Sequence, residues 1–288
     1  MVNNTKKHSR FTYSTPAKIF TYVILVVGAF IALIPFFWMI ATSFKTLGEA
    51  LGTTFFPSTL RWENYSEAWR RALFSEYFIN TILITAITLI GEVTFSVLAA
   101  YAFARMHFPG RDMIFSIMLS TIMIPAMVFI IPNFLTVTWL GRIGPIPWIN
   151  NWPALTIPFM GSIFSIFLLK QFFAQIPDEL FDAAQMDGAG HLRFLWKVVL
   201  PLSKAPLMVI LVLSFIGTWN SLAWPMLVTN TPAWRPISVG LMNFVNEAGQ
   251  EINLTMAGAF ITIIPILIIY FFTQKQFTES ISRSGLKG

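Results

Sequence analysis

Residues 175–201 read QIPDELFDAAQMDGAGHLRFLWKVVLP and lie between two long apolar runs. Pro177 suits the first position of a helix, and the two acidic residues that follow it favour a helix N-terminus. We therefore expect a helix over 178–187. Gly188 tolerates the left-handed conformation in which many helices end, so it is the predicted cap.

A second short helix is predicted over 192–200, and Pro201 is expected to end it. Its apolar residues recur at helical spacing on one face: Leu192, Leu195, Trp196 and Val199. The whole segment is then a helix-glycine-helix elbow. Two amphipathic helices of this kind lie on a membrane surface or present a rigid knob to a partner protein, and these residues leave both interpretations open.

The chain around the elbow has the composition of a membrane protein. Of its 288 residues, 56% are hydrophobic and only 11% are charged, whereas a typical soluble domain carries about 25% charged residues. A soluble enzyme and a nucleic-acid-binding domain are poor interpretations, although the net charge is +6. A bilayer core requires about 20 apolar residues in a helix. Six stretches qualify, which predicts an all-α membrane protein of six transmembrane helices: 19–43, 78–103, 113–135, 154–173, 205–228 and 254–272.

The basic residues predict that both termini are cytoplasmic. In that orientation the inner segments hold 13 of the 19 Lys and Arg residues, and the outer loops hold 6, as the positive-inside rule requires. Residues 1–18 and 274–288 are then cytoplasmic tails, residues 19–273 form the membrane domain, and residues 174–204 form a cytoplasmic loop. Nine of the ten Trp residues lie towards the outside; their preference for the membrane interface explains most of them, and stacking on sugar rings is the alternative.

Four side chains within the spans are candidates for a translocation path. Glu92 lies near the middle of the second span, where an ionisable residue is costly and faces the bundle interior or a wet cavity. Glu92 either contacts the pore or the substrate, or it forms a hydrogen bond to a neighbouring helix or to the partner subunit, and the sequence leaves both interpretations open. The other three, Trp219, Asn220 and Trp224, suit a sugar but also serve as helix–helix contacts and interfacial anchors.

Metal, thiol and catalytic chemistry are not expected in this chain. Cysteine is absent, and the three histidines match no metal-ligand spacing. We interpret His107 and His191 as solvated loop residues. We therefore predict no catalytic residue, no metal and no cofactor bound by the chain itself.

The elbow resembles the EAA loop of ABC importer permeases. The pattern Asp182-Ala183-Ala184-x-x-Asp187-Gly188-Ala189, followed by Leu200-Pro201, stands at the spacing of that family. Asp182 replaces the usual Glu, and Ser221 stands where an acid is common. The resemblance is closest to the carbohydrate-uptake group that contains the smaller maltose permease subunit. It extends through further segments in the same order: 99–105, 108–111, 124–125, 169–173 with 176–177, 218–220 with 224–225, 256–259 and 286–288.

The resemblance implies a type I ABC importer permease fold in a bacterial-type inner membrane. The chain would be the transmembrane subunit of an ATP-driven, binding-protein-dependent importer of a sugar or oligosaccharide. The implied partners are a second homologous permease subunit, a dimer of ATP-binding subunits that holds ATP and Mg, an extracytoplasmic solute-binding protein and membrane lipid, with no nucleic acid. The chain lacks a Gly-x-x-x-x-Gly-Lys-Ser/Thr loop, so it has no phosphate cradle of that kind, and ATP hydrolysis is expected in the partner.

The elbow, residues 177–201, would couple closure of the ATPase to alternating access of the membrane helices. The residues implied for this coupling are Asp182, Ala183, Ala184, Asp187, Gly188, Ala189, Leu195, Leu200 and Pro201. An ABC permease for a non-sugar solute and an ion-coupled secondary transporter are the alternative functions.

Overall fold

The computed structural model describes residues 15–246 and 249–284, which are almost wholly helical. Two short helices lie in the loop that joins the first two long ones. In chain order these four are α1 (Thr15–Ser43), α2 (Leu47–Ala50), α3 (Glu63–Arg71) and α4 (Phe74–Arg105).

The next two predicted spans are interrupted helices. α5 (Arg111–Ser120) is followed by 3-10 turns at Thr121–Met123 and Ala126–Phe129 and then by α6 (Ile130–Ile143). α7 (Trp152–Thr156) leads through a 3-10 turn at Ile157–Phe159 into α8 (Ile163–Phe173).

The third predicted span, 113–135, differs in its bounds from the structure. The helix breaks at Ile124, whose φ of −83° and ψ of 124° are extended. Pro125 follows it, and a residue before proline is sterically disfavoured in the helical region. The stretch that is long and apolar enough to cross a membrane is instead Ala126–Ile143.

The remaining elements run from the elbow to the end of the described chain. The elbow contains α9 (Asp178–Met186), α10 (His191–Phe194), a π-helical turn at Leu195–Val199 and α11 (Leu200–Leu202). After it come α12 (Lys204–Trp219), α13 (Ala223–Val228), a 3-10 turn at Pro232–Trp234, α14 (Ile237–Gly240), a 3-10 turn at Leu241–Phe244, the antiparallel pair β1 (Val245–Asn246) and β2 (Gly249–Gln250), and α15 (Ile252–Ser284).

The all-helical class is confirmed, apart from that two-residue strand pair. Within the described residues, five helices are long and apolar enough to span a membrane. A sixth span is reached only if His191–Leu202 and Lys204–Trp219, which meet at an angle of 81°, are counted together. The predicted tail boundaries fall inside helices, because α1 begins at Thr15 and α15 continues to Ser284. Residues 1–14 and 285–288 of those tails lie outside the described residues.

The inner hydrophobic core fixes the elbow to the membrane bundle. Val97, Ala100 and Tyr101 of α4 are buried there together with Leu169 and Phe173 of α8. The second arm of the elbow adds its own buried side chains to the same cluster: Phe194, Leu195 and Val199. Because burial of a large apolar side chain contributes about 1.5–3 kcal/mol, these contacts hold that arm firmly against α4 and α8.

Candidate functional site

The first arm of the elbow ends in the predicted glycine cap. Gly188 has a φ of +75°, a value that favours glycine. The amide of Ala189 donates to the Ala184 carbonyl at 2.8 Å, and the amide of Gly188 donates to the Gln185 carbonyl at 2.9 Å. This pair of bonds is a Schellman motif, so the prediction of a left-handed cap at Gly188 is confirmed.

The second arm differs from the prediction in two respects. It continues through Pro201 to Leu202, with a π-turn in front of the proline. A π-turn adds a residue to the helical turn, and proline removes a donor, so the regular spacing is lost. Consequently the predicted single apolar face is wrong: Leu195 and Val199 are buried, whereas Leu192 and Trp196 are 66% and 67% exposed.

Arg105, the last residue of α4, holds the start of the elbow. Its side chain is only 7% exposed. Its Nε donates to the carbonyl of Phe173 at 3.1 Å, and its two terminal nitrogens bind the carbonyl of Ile176 and the carboxylate of Asp178. The end of α8 and the beginning of α9 are therefore fastened to α4 through one guanidinium group.

A second tie joins α4 to the other arm. The hydroxyl of Tyr101 lies 2.9 Å from Nδ1 of His191. The His191 ring also stacks on Phe181 of α9, with 5.0 Å between ring centroids and 25° between planes. His191 is exposed, as predicted for a solvated residue, but it begins α10 and makes these two contacts as well. Sequence patterns do not reveal the roles of Arg105 and Tyr101, because their partners lie about 70–90 positions away along the chain.

The residues implied for coupling divide by exposure. Asp182, Ala183, Asp187, Gly188 and Pro201 are exposed, and Leu195 is buried in the core. The intermediate ones are Ala184, Ala189 and Leu200. Residues 182–188 thus present a small-residue surface with two carboxylates, which we call the elbow surface.

Asp187 does not cap the second arm. The N-cap residue of α10 is Gly190, and no side chain hydrogen-bonds there. Asp182 also lines a cavity of about 570 Å³ that lies between the elbow and the loop after α4. Both carboxylates of the elbow surface are therefore available to a partner.

Glu92 is a buried link between three helices. Its side chain is 6% exposed. Its Oε1 accepts hydrogen bonds from Ser165 Oγ of α8 and Ser214 Oγ of α12, both at 2.8 Å. Of the two interpretations of Glu92, this geometry favours the bond to neighbouring helices, and the sequence pattern did not identify the two serines.

The three candidates in the predicted fifth span occupy different environments. Trp219 is 3% exposed, and its Nε1 donates to the carbonyl of Thr262 at 3.0 Å. Trp224 is 6% exposed, and its Nε1 donates to the carbonyl of Ala154 at 2.8 Å. Asn220 is exposed at the interruption between α12 and α13. Trp219 is thus a packing residue, while Asn220 is free to meet another molecule.

The loop between α1 and α4 is held by charged hydrogen bonds. Glu49 accepts bonds from Ser58 and from the backbone of Thr46, with which it forms a capping box. The Ser58 hydroxyl, followed by these backbone bonds, lowers the pKa of Glu49 to about 2. Arg71 of α3 donates to Glu251 beside α15 at 2.9 Å, a bond that raises the pKa of the guanidinium.

Metal ligation has no candidate among the described residues. Within 15–246 and 249–284, no three His, Cys, Asp or Glu side chains form a group that could hold a metal ion. The expected absence of a metal or cofactor on this chain stays a prediction.

Comparison with known proteins gives a consistent set of similarities. The family profile described as "Binding-protein-dependent transport system inner membrane component" matches residues 92–282. An sn-glycerol-3-phosphate transport system permease protein of Yersinia enterocolitica is 31% identical over 273 residues, which cover 91% of this chain and 95% of the relative. A diacetylchitobiose uptake system permease protein of Streptomyces coelicolor is 29% identical over 272 residues, which cover 93% of this chain and 88% of the relative.

A solved structure has the same fold. It belongs to a bacterial ABC transporter involved in the import of the acidic polysaccharide alginate. The TM-score is 0.78 at 28% identity, and the match covers 91% of this chain and 98% of that chain.

Proposed function

Since this chain belongs to the family of binding-protein-dependent transport system inner membrane components, we propose that it is the transmembrane permease subunit of an ATP-driven importer of a sugar or oligosaccharide. The similar proteins named above handle glycerol 3-phosphate, diacetylchitobiose and alginate. All three are hydroxyl-rich compounds, and this common chemistry supports a polyhydroxylated solute for the present chain.

The observation that carries the proposal is an exposed elbow surface tied directly to a long membrane helix. Arg105 and Tyr101 join the elbow to the end of α4. A dimer of ATP-binding subunits, holding ATP and Mg, would dock on residues 182–188. Closure of that dimer would displace the elbow, and α4 would follow as a rigid body between two discrete packings.

The Glu92 hydrogen bonds extend this movement into the bundle. They link α4 to α8 and α12 within the membrane. Such bonds contribute about 0.6 kcal/mol each on average between membrane helices, enough to favour joint movement while leaving an alternative packing accessible. Asn220 and Trp224, at the interruption after α12, are the candidates that we retain for the translocation path.

The complete importer requires other chains. A second homologous permease subunit would complete the path, and an extracytoplasmic solute-binding protein would deliver the solute. ATP hydrolysis would take place in the ATP-binding subunits, so this chain contributes no catalytic residue. Both termini are proposed to be cytoplasmic, on the same side as the elbow.

The test changes one small residue of the elbow surface. Ala183→Trp introduces bulk at an exposed helical position. Leu192→Trp is the matched control, because Leu192 is also exposed but lies in α10, outside the elbow surface. The full complex is reconstituted in proteoliposomes, and ATP hydrolysis is measured with and without loaded binding protein. Ala183→Trp should abolish the stimulation and release the ATP-binding subunits, while Leu192→Trp should keep both the stimulation and the bound subunits. Full stimulation in Ala183→Trp would refute docking on the elbow surface.

A further inference from the structure

A small cavity lies where two interrupted spans meet α4. Its volume is about 110 Å³. It is bordered by the 3-10 turn between α7 and α8, by the interruption between α12 and α13, and by the outer half of α4. Its lining includes Thr85, Phe159, Gly217, Thr218, Ser221 and Trp224.

The Thr85 hydroxyl is an unused hydrogen-bonding group in this cavity. Thr85 is 3% exposed, and its Oγ1 has no hydrogen-bond partner. Several other threonines in helices of this chain donate to the carbonyl four residues earlier, as Thr138, Thr156 and Thr229 do. An unpaired buried hydroxyl is costly. Since Thr85 lines the cavity, a ligand seated there that hydrogen-bonds to the hydroxyl would remove this cost.

The rest of the lining suits a neutral, partly apolar ligand. The Trp224 N–H is already donated to Ala154, so the ring contributes only its apolar surface. Phe159 meets that ring edge-on at a centroid distance of 5.8 Å. None of the lining side chains carries a charge. Aromatic surface beside isolated hydroxyl groups matches the alternating C–H and O–H groups of a sugar or polyol.

The size of the cavity limits what it can hold. A single water requires roughly 10–15 Å³ of this kind of volume, so the cavity accommodates several waters or one small hydroxyl-bearing unit. Gly217 lines it and is exposed, and a methyl group added to its α-carbon would meet no other side chain within 4 Å. The cavity is therefore approachable from the side of the helix that carries Asn220.

We propose that this cavity is a subsite of this subunit for one uncharged, hydroxyl-bearing unit of the transported solute, held by a hydrogen bond from Thr85 and by contact with Trp224. The proposal rests on the proposed function as an importer of hydroxyl-rich solutes. It adds that the subsite selects a neutral unit over a carboxylate or a phosphate.

Direct binding to the permease complex tests the subsite without ATP or binding protein. The complex in nanodiscs is mixed with D-glucose, glycerol or D-glucuronate, and saturation-transfer NMR reports which probe contacts the protein. Thr85→Val removes the hydroxyl while keeping its shape. Thr88→Val is the matched control, since Thr88 is equally buried and unpartnered but does not line the cavity. Thr85→Val should lower the glucose or glycerol signal roughly fivefold, the effect of one hydrogen bond, and Thr88→Val should leave it unchanged.

A second pair of variants keeps the test informative if Thr85→Val is poorly folded. Gly217→Leu places a side chain at the cavity, and Gly28→Leu makes the same change in α1, where the backbone is also open. The saturation-transfer signal of glucose or glycerol should fall in Gly217→Leu and not in Gly28→Leu. Glucuronate should bind more weakly than glucose. Equal signals in all variants, or glucuronate binding as well as glucose, would overturn the proposal. Loss of ATPase stimulation in the elbow test is independent of these signals, so the two proposals fail separately.

Discussion

Replacing Arg105 with Met should loosen the elbow without unfolding the bundle. Met keeps much of the length and apolar stem of the side chain but removes every donor. The carbonyls of Phe173 and Ile176 and the carboxylate of Asp178 then lose their shared partner. The change therefore isolates the hydrogen bonds that fasten the elbow to α4.

The magnitude follows from the exposure of each partner. Asp178 is 90% exposed, so its ion pair contributes little, on the order of 0–1 kcal/mol. A typical hydrogen bond contributes about 0.5–1.5 kcal/mol and one from a charged donor about 1.5–3 kcal/mol, so each of the two carbonyl bonds is assigned about 1–1.5 kcal/mol. The two carbonyl bonds together contribute about 2–3 kcal/mol, which corresponds to a roughly 30- to 140-fold increase in local opening.

Hydrogen–deuterium exchange of the intact complex measures this opening. Amides over 175–190 should exchange faster in Arg105→Met by the factor given above, while amides in the middle of α4 keep their wild-type rate. Arg111→Met is the control, because Arg111 lies in the same region but pairs with Asp112 and not with the elbow. If the two variants exchange alike over 175–190, the reasoning is refuted.

Three further predictions concern other parts of the chain. Glu92→Leu leaves two serine hydroxyls unpaired and should lower the stability of the solubilised complex by about 1–3 kcal/mol. Glu92→Gln keeps an acceptor and should lower it less. An equal shift of the thermal midpoint in the two variants would contradict this prediction. Gly188→Ala should destabilise the elbow by about 1–2 kcal/mol. The cost comes from the φ of +75°, since the space around Gly188 is open. Hydrogen–deuterium exchange over 184–190 should therefore be faster in Gly188→Ala than in the wild type, and Gly188→Asn should show a smaller increase. Because the folded pKa of Glu49 is depressed from 4.5 to about 2, its stabilisation of the loop between α1 and α4 is complete above the unfolded pKa and is lost only as pH falls through about 2. The hydrogen–deuterium exchange rate over 46–58, corrected for its intrinsic pH dependence, should therefore be the same at pH 7 and pH 5. Glu49→Gln, in contrast, should raise this rate at neutral pH.

The sequence by itself determined the features that depend on neighbouring residues. An apolar run of about 20 residues has no stable alternative to a membrane helix, so the spans of α1, α4 and α15 were predicted at nearly the observed positions. The glycine cap at Gly188 is equally local, because only the backbone of one turn decides it.

The tertiary structure alone decided the contacts between distant parts of the chain. The hydropathy of the sequence does not predict that Arg105 binds Asp178, 73 positions later, or that Glu92 binds Ser214, 122 positions later. Proline positions alone also do not decide where a helix stops: the helix breaks before Pro125 but continues through Pro201, since proline breaks a helix or is tolerated within it according to how its neighbours pack. A buried polar group must find a partner wherever the fold supplies one. For that reason the ties that fasten the elbow to α4 are visible only when the whole bundle is assembled.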